Sequence, residues 1–254
     1  MADITATAQP QLERIADAIR KRVSPELNLL FGSRARGDAR EDSDYDLMIV
    51  LHDGADVERH RRDARDALHA IGVSADVLAK SVSDYQRHQH DPGFLSWLVS
   101  REGVLLYSSG AVPQRSPLPA RVREEPREGL EMWMRYAEED FRIAKMSLAD
   151  TDPALGPICF HAHACVEKLL KALIVKQGRH PRKTHELPKL LALQIPSIRD
   201  DAAVIAACAL LQALYPGSRY PEEPMPTPDQ ARRAFDSARL VRDRVIPLVK
   251  TQRA

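Results

Sequence analysis

The segment Gly110–Pro126, GAVPQRSPLPARVREEP, carries four prolines and no apolar period, and the text on its two sides differs in kind. Proline fixes φ and removes a backbone donor, so a run this dense in it continues neither a helix nor a central strand. It divides the chain, and 254 residues are enough for a domain on each side. The expected organisation is a first domain over 1–110, a linker over 111–126 and a second domain over 127–254.

Upstream, Leu12, Ile15, Ala16, Ile19 and Val23 recur at steps of three and four, which predicts a helix. LNLLF (27–31) reads as a buried strand ending at Gly32, DLMIVLH (46–52) as a second strand, and VSADVLAK (73–80) as a third carrying Asp76 in its middle. A charged helix over 56–72 stops at Gly72, helices follow around 82–101, and GVLLYS (103–108) closes the unit as a strand. Downstream, helices are expected at 127–150, 157–178, 185–194, 199–215 and 228–252, with short connections that favour antiparallel packing. The expected fold class is an α+β N-terminal domain, a mixed sheet flanked by helices, plus an all-α antiparallel helical bundle.

Composition sets the limits of function. Thirty-seven Lys and Arg face 36 Asp and Glu, so a polyanion partner would need a local patch such as RHRRDAR rather than a global charge. The three cysteines, Cys159, Cys165 and Cys208, lie in apolar helical text and make no disulfide framework. Neither a signal-like N-terminus nor an apolar run of about 20 residues is present, so a cytoplasmic protein without a membrane partner is expected.

The chemistry concentrates in FGSRARGDAREDSDYDLMIV, 31–50. A strand ending in Gly32-Ser33 offers free backbone N–H groups, and the missing Cβ would let a phosphate approach the main chain. Asp44 and Asp46, two apart at a strand start, point to the same side of a sheet. Such like charges call for a cation, and carboxylates bridging two Mg²⁺ ions are the usual arrangement for in-line attack on a nucleotide phosphate. Asp76, on a strand able to lie beside the second, supplies a third carboxylate that is costly to bury unpaired.

Gly-Ser, ten residues, Asp-x-Asp on a strand and a later strand-borne aspartate resembles the polymerase-β-like nucleotidyltransferase superfamily, in particular its minimal nucleotidyltransferase branch. The resemblance implies that Gly32 and Ser33 hold nucleotide phosphates and that Asp44 and Asp46 ligate magnesium. It makes Asp76 a third ligand or the base that orients the acceptor hydroxyl. Arg36, and less so Arg34, would neutralise departing pyrophosphate, and Ser43 would contact the nucleotide or cap the turn.

The text from 127 to 250, with WMRYAEEDFRIAK, FHAHACVEKLLKALIVKQGRHPRKTHEL and LYPGSRYP, resembles a HEPN domain. HEPN domains accompany minimal nucleotidyltransferases, some in toxin–antitoxin pairs, which implies partner or RNA binding or a homodimer through the bundle. Many use an Arg-x(4–6)-His pair as a ribonuclease; Arg179 and His185 satisfy the count but read as loop, with Thr184 or His185 capping. In the toxin–antitoxin scheme a tyrosine two residues after that histidine receives AMP, and Leu187 stands there, leaving Tyr215 and Tyr220 as acceptors. Cys159, His161, His163 and Cys165 are all metal-capable, yet at 100° per residue they fall on opposite helix faces.

The function these readings imply is Mg-dependent transfer of a nucleoside monophosphate, AMP from ATP or another NTP, to a hydroxyl of a protein or RNA. Two rivals stand beside it: an aminoglycoside nucleotidyltransferase of the kanamycin type, with Glu138 and Glu139 in an acidic cleft, and a non-catalytic HEPN interaction module.

Overall fold

The computed structural model describes residues 9–40, 43–116, 127–218 and 224–251. The chain forms two compact units, 1–122 and 123–254. The first is α+β and the second an all-α bundle.

In the first unit the apolar runs become four strands, β1 (Leu27–Phe31), β2 (Tyr45–Leu51), β3 (Ala75–Ser81) and β4 (Val104–Ser108), in the order β3-β2-β1-β4. β1 pairs antiparallel with both β2 and β4, whereas β2 and β3 run parallel. A parallel pair needs a crossover, and the helix α3 (Val57–Ala70) supplies it, capped by Asp56, whose carboxylate accepts the Arg59 N–H at 3.0 Å. Alternation then sorts the side chains between two cores. Leu30, Leu47, Ile49, Leu51 and Val77 pack against α1 (Gln9–Val23) and α3 on one face. Leu27, Leu29, Phe31, Met48 and Val50 pack with Tyr85 and Val99 on the other, under α4 (Val82–His88) and α5 (Leu95–Glu102).

The strand end opens into a helix: Gly32–Arg36 forms a single turn, α2, closed by Gly37 in the left-handed region at φ 79°. The expected linker from 111 is laid on the first unit over its described part. Val112 is buried in the second of the two cores, and the Gln114 carbonyl accepts the Tyr85 hydroxyl at 2.6 Å. The remainder, 117–126, lies outside the described residues.

The second unit is built around α7 (Leu155–Lys176), which buries 15 of its 22 residues. α6 (Arg127–Leu148), α10 (Ala202–Leu214) and α11 (Pro228–Lys250) pack against it. Asp201 caps α10, and Thr227 with Gln230 forms a capping box on α11. The helix expected over 185–194 is shorter, α8 (Leu187–Leu191), and is followed by a separate turn, α9 (Pro196–Arg199). Pro196 holds Ile195 in the extended region at ψ 154°, which makes α9 a separate turn. Among the described residues no helix is long and apolar enough to cross a membrane.

Candidate active site

The acidic edge forms where β1 ends and β2 begins. Phe31 pairs with Asp46 across β1 and β2, and Asp46 pairs with Asp76 across β2 and β3, so one row of the sheet carries both carboxylates. Alternation places Asp46 and Asp76 on the side of Met48 and Leu78, the face covered by α4 and α5. Asp44, two residues before Asp46, lies just ahead of the strand and is exposed, as is Asp76; Asp46 is half-buried.

Gly32 explains how Asp46 is seated. Its φ is +74°, a conformation that side-chain-bearing residues rarely adopt, and a Cβ built there would lie 2.0 Å from Asp46 Oδ2 and 2.9 Å from its Cγ. The space left by the missing side chain is therefore filled by the aspartate. Gly32 is needed so that the carboxylate can press against the turn.

The turn is braced from the far side of the loop. Arg34 donates from Nε to the Ser43 carbonyl at 2.8 Å and from a second nitrogen to the same oxygen, with its guanidinium 4.2 Å from the Tyr45 ring centroid. Arg34 thus ties α2 to the residue preceding Asp44, a role the sequence reading missed, because nothing in the local text says which carbonyl an arginine will meet. Arg36 is exposed and pairs with Asp38 at 3.3 Å, and Ser43 Oγ accepts the Arg40 N–H at 3.0 Å, the turn-capping role. The Ser33 carbonyl accepts the N–H groups of Gly37 and Asp38, closing α2.

Three carboxylates offer hard oxygen donors, which suit magnesium; that ion usually takes one or two protein carboxylates and completes its octahedron with water and phosphate oxygens. Among the described residues no three His, Cys, Asp or Glu side chains converge as a metal cage, so the aspartates present an open edge of donors rather than a closed site.

Residues 13–110 match the family model described as polymerase beta, nucleotidyltransferase, and residues 130–248 match that of the HEPN domain. The chain is a polymerase-β-type nucleotidyltransferase domain followed by a HEPN domain. Three solved structures resemble parts of it. TT1696 from Thermus thermophilus is 26% identical over 46% of this chain and 94% of its own, with a TM-score of 0.41. ST0689, an archaeal HEPN homologue, is 23% identical over 48% of this chain and 98% of its own, with a TM-score of 0.39. A nucleotidyltransferase-like protein from Exiguobacterium sibiricum 255-15 is 11% identical over 89% of this chain and 74% of its own, with a TM-score of 0.45. Comparison with curated proteins gives no significant match.

In the HEPN domain, Arg179 and His185 are held by different partners. Arg179 donates to the Leu193 carbonyl at 3.1 Å, which fastens the loop, whereas His185 Nδ1 lies 2.9 Å from Glu167 Oε2. Neither Thr184 nor His185 caps α8: Glu186 is its N-cap, and Thr184 Oγ1 accepts the Glu186 N–H instead. Glu167 is buried and also pairs with the buried Lys171 at 2.7 Å. Burial pushes the Glu167 carboxyl up, but Lys171 and His185 together outweigh it and hold the group below its ordinary value.

The four metal-capable residues of α7 go to separate surroundings. His161 Nδ1 meets Asp140 at 2.7 Å, beside a Lys168–Asp140 pair. His163 is fully buried with its ring 4.0 Å from that of Tyr215, and burial drives it down to about 4. Cys159 and Cys165 are buried, and burial raises both thiols. Leu187, in the acceptor-tyrosine place, is buried, and Tyr220 lies outside the described residues. Glu138, expected to help an acidic cleft, is neutralised by a two-pronged pair with Arg242 at 2.9 and 3.0 Å.

Proposed function

We propose that the protein transfers a nucleoside monophosphate, AMP from ATP, to a hydroxyl group of a protein or RNA. The observation that carries this reading is the seating of Asp46 against Gly32, with Asp76 beside it in register on β3. A sheet row that gathers two carboxylates beside a glycine turn places hard oxygen donors next to backbone N–H groups, the pairing that a metal-bound phosphate needs.

Magnesium would be held by Asp44 and Asp46, and would supply charge neutralisation of the triphosphate as the α-phosphorus is attacked; with no third carboxylate converging on them among the described residues, Asp76 is left to the acceptor. The chain's own residues do the rest. Gly32 and Ser33 present backbone N–H groups to the phosphates, and Arg34 keeps the loop that carries Asp44 closed on the turn. Arg36, exchanging Asp38 for pyrophosphate, stabilises the leaving group. Asp76, exposed at its strand start, orients the acceptor hydroxyl and takes its proton as the oxygen–phosphorus bond forms. The HEPN domain then serves acceptor binding or self-association. The pairing of Glu138 with Arg242 weighs against the aminoglycoside reading, because it removes a free carboxylate that a polycation would need.

The test is incubation of the full chain with each of the four labelled NTPs and magnesium, using cell lysate protein, RNA and kanamycin as separate acceptors. ATP-dependent labelling of either acceptor is expected. Labelling of kanamycin alone, or none under any condition, would contradict the proposal.

A further inference from the structure

A second cationic cluster in the nucleotidyltransferase unit is built from elements other than the Gly32 turn. Arg101 of α5 donates to the Gln89 carbonyl at 2.9 Å, and its guanidinium lies 4.2 Å from the Trp97 ring centroid. The Gln89 side chain accepts the Ser116 N–H at 2.9 Å, which pins the segment carrying Arg115 to the same place. His90 follows Gln89, and its Nδ1 is buried with no hydrogen-bond partner.

The charges carried by this cluster are cationic, and Tyr85, which alone raises the basicity of Arg101, is kept protonated because burial pushes its hydroxyl up. Burial lowers the basicity of His90, and the Arg101 and Arg115 cations lower it further; burial and Arg115 also lower that of Arg101. Among the described residues, none of the three has a carboxylate partner. Gathering like charges without a counter-charge is unfavourable, and an anion relieves it. Guanidinium forks match phosphate oxygens in pairs, and a buried imidazole nitrogen adds a donor once protonated.

We propose that His90, Arg101 and Arg115 form a phosphate-binding subsite, separate from the Gly32–Ser33 turn, that takes a phosphate of a nucleotide or of an oligonucleotide strand. The proposal does not depend on the catalytic reading of the aspartates.

Trp97 is one of two tryptophans in the chain, so a Trp133→Phe background makes it the sole indole reporter. This full-length protein is titrated with orthophosphate, tripolyphosphate and a single-stranded oligoribonucleotide at fixed ionic strength, following Trp97 fluorescence. At least one of these anions should change the signal, and Arg115→Gln should weaken its binding about tenfold, with Arg115→Lys intermediate. Arg115 is exposed, so its variants should melt like the parent. Tightest binding of tripolyphosphate assigns the subsite to nucleotides, and tightest binding of the oligoribonucleotide assigns it to a strand. Equal affinity of parent and Arg115→Gln for every anion, or no fluorescence change with any of them, overturns the proposal.

Discussion

Replacing Gly32 with alanine separates what the turn needs from what the carboxylate needs. The left-handed φ of +74° costs a side-chain-bearing residue about 1–2 kcal/mol. The new Cβ would also stand 2.0 Å from Asp46 Oδ2, so the carboxylate or the turn must retreat by more than 1 Å to reach ordinary contact. Misplacement on that scale costs about 10²-fold in rate when the displaced group aligns the reaction. Gly37 is the control: its φ is +79°, yet a Cβ there meets nothing within 4 Å. Both variants should lower the melting temperature by a few degrees, on the scale of about 2–4 °C per kcal/mol for a chain of this size. Only Gly32→Ala should also lower labelled-nucleotide transfer by about 10²-fold. Calorimetry and initial rates on the two proteins side by side give the answer. Gly32→Ala retaining transfer within a few-fold of Gly37→Ala would refute the reasoning, because it would mean that Asp46 need not sit where the structure seats it.

Three further outcomes follow from the packing. Arg34→Lys loses the two-pronged grip on the Ser43 carbonyl and the stack on Tyr45, and should lower kcat by about tenfold with KM for ATP little changed; an unchanged kcat contradicts a positioning role. Lys171→Met leaves Glu167 buried with only its hydrogen bond to His185 and should destabilise the HEPN domain by about 3 kcal/mol, read by urea unfolding on Trp133 fluorescence. For His163 the folded value is depressed from 6.5 to about 4, so as pH falls through 6.5 the unfolded chain takes up a proton that the folded one refuses. Stability from this residue is thus highest above pH 6.5 and should fall by about 3 kcal/mol on going down to pH 4, a loss that His163→Phe abolishes relative to the parent.

Much of the first unit was legible because apolar runs bounded by glycine can become little else than buried strands, and β2 and β3 lie within two residues of their expected bounds. The neighbouring placement of Asp46 and Asp76 was foreshadowed by strand length alone, but their parallel register was not, since it depends on how α3 crosses the sheet. Gly32 was singled out for its missing Cβ, but its contact with Asp46 was not legible: sequence shows that a side chain is missing, not what fills the space. In the bundle, α7 was evident from its unbroken apolar text. The hydrogen bonds that cross from it, Asp140 with His161 and Glu167 with His185, join residues 18 or more apart and leave no local spacing to read. The spacing of Arg179 and His185 drew attention to a pair that the fold points at different partners.

The proposed chemistry rests on Asp44 and Asp46 acting as carboxylates, and the most direct measurement is transfer of label from ATP by the Asp44→Asn/Asp46→Asn protein in the presence of magnesium. The double substitution keeps side-chain shape and removes both charges, so the folded fraction should match the parent while incorporation falls to background. Incorporation at the parent rate by the folded double variant would show that the acidic edge of β2 is not where the chemistry occurs.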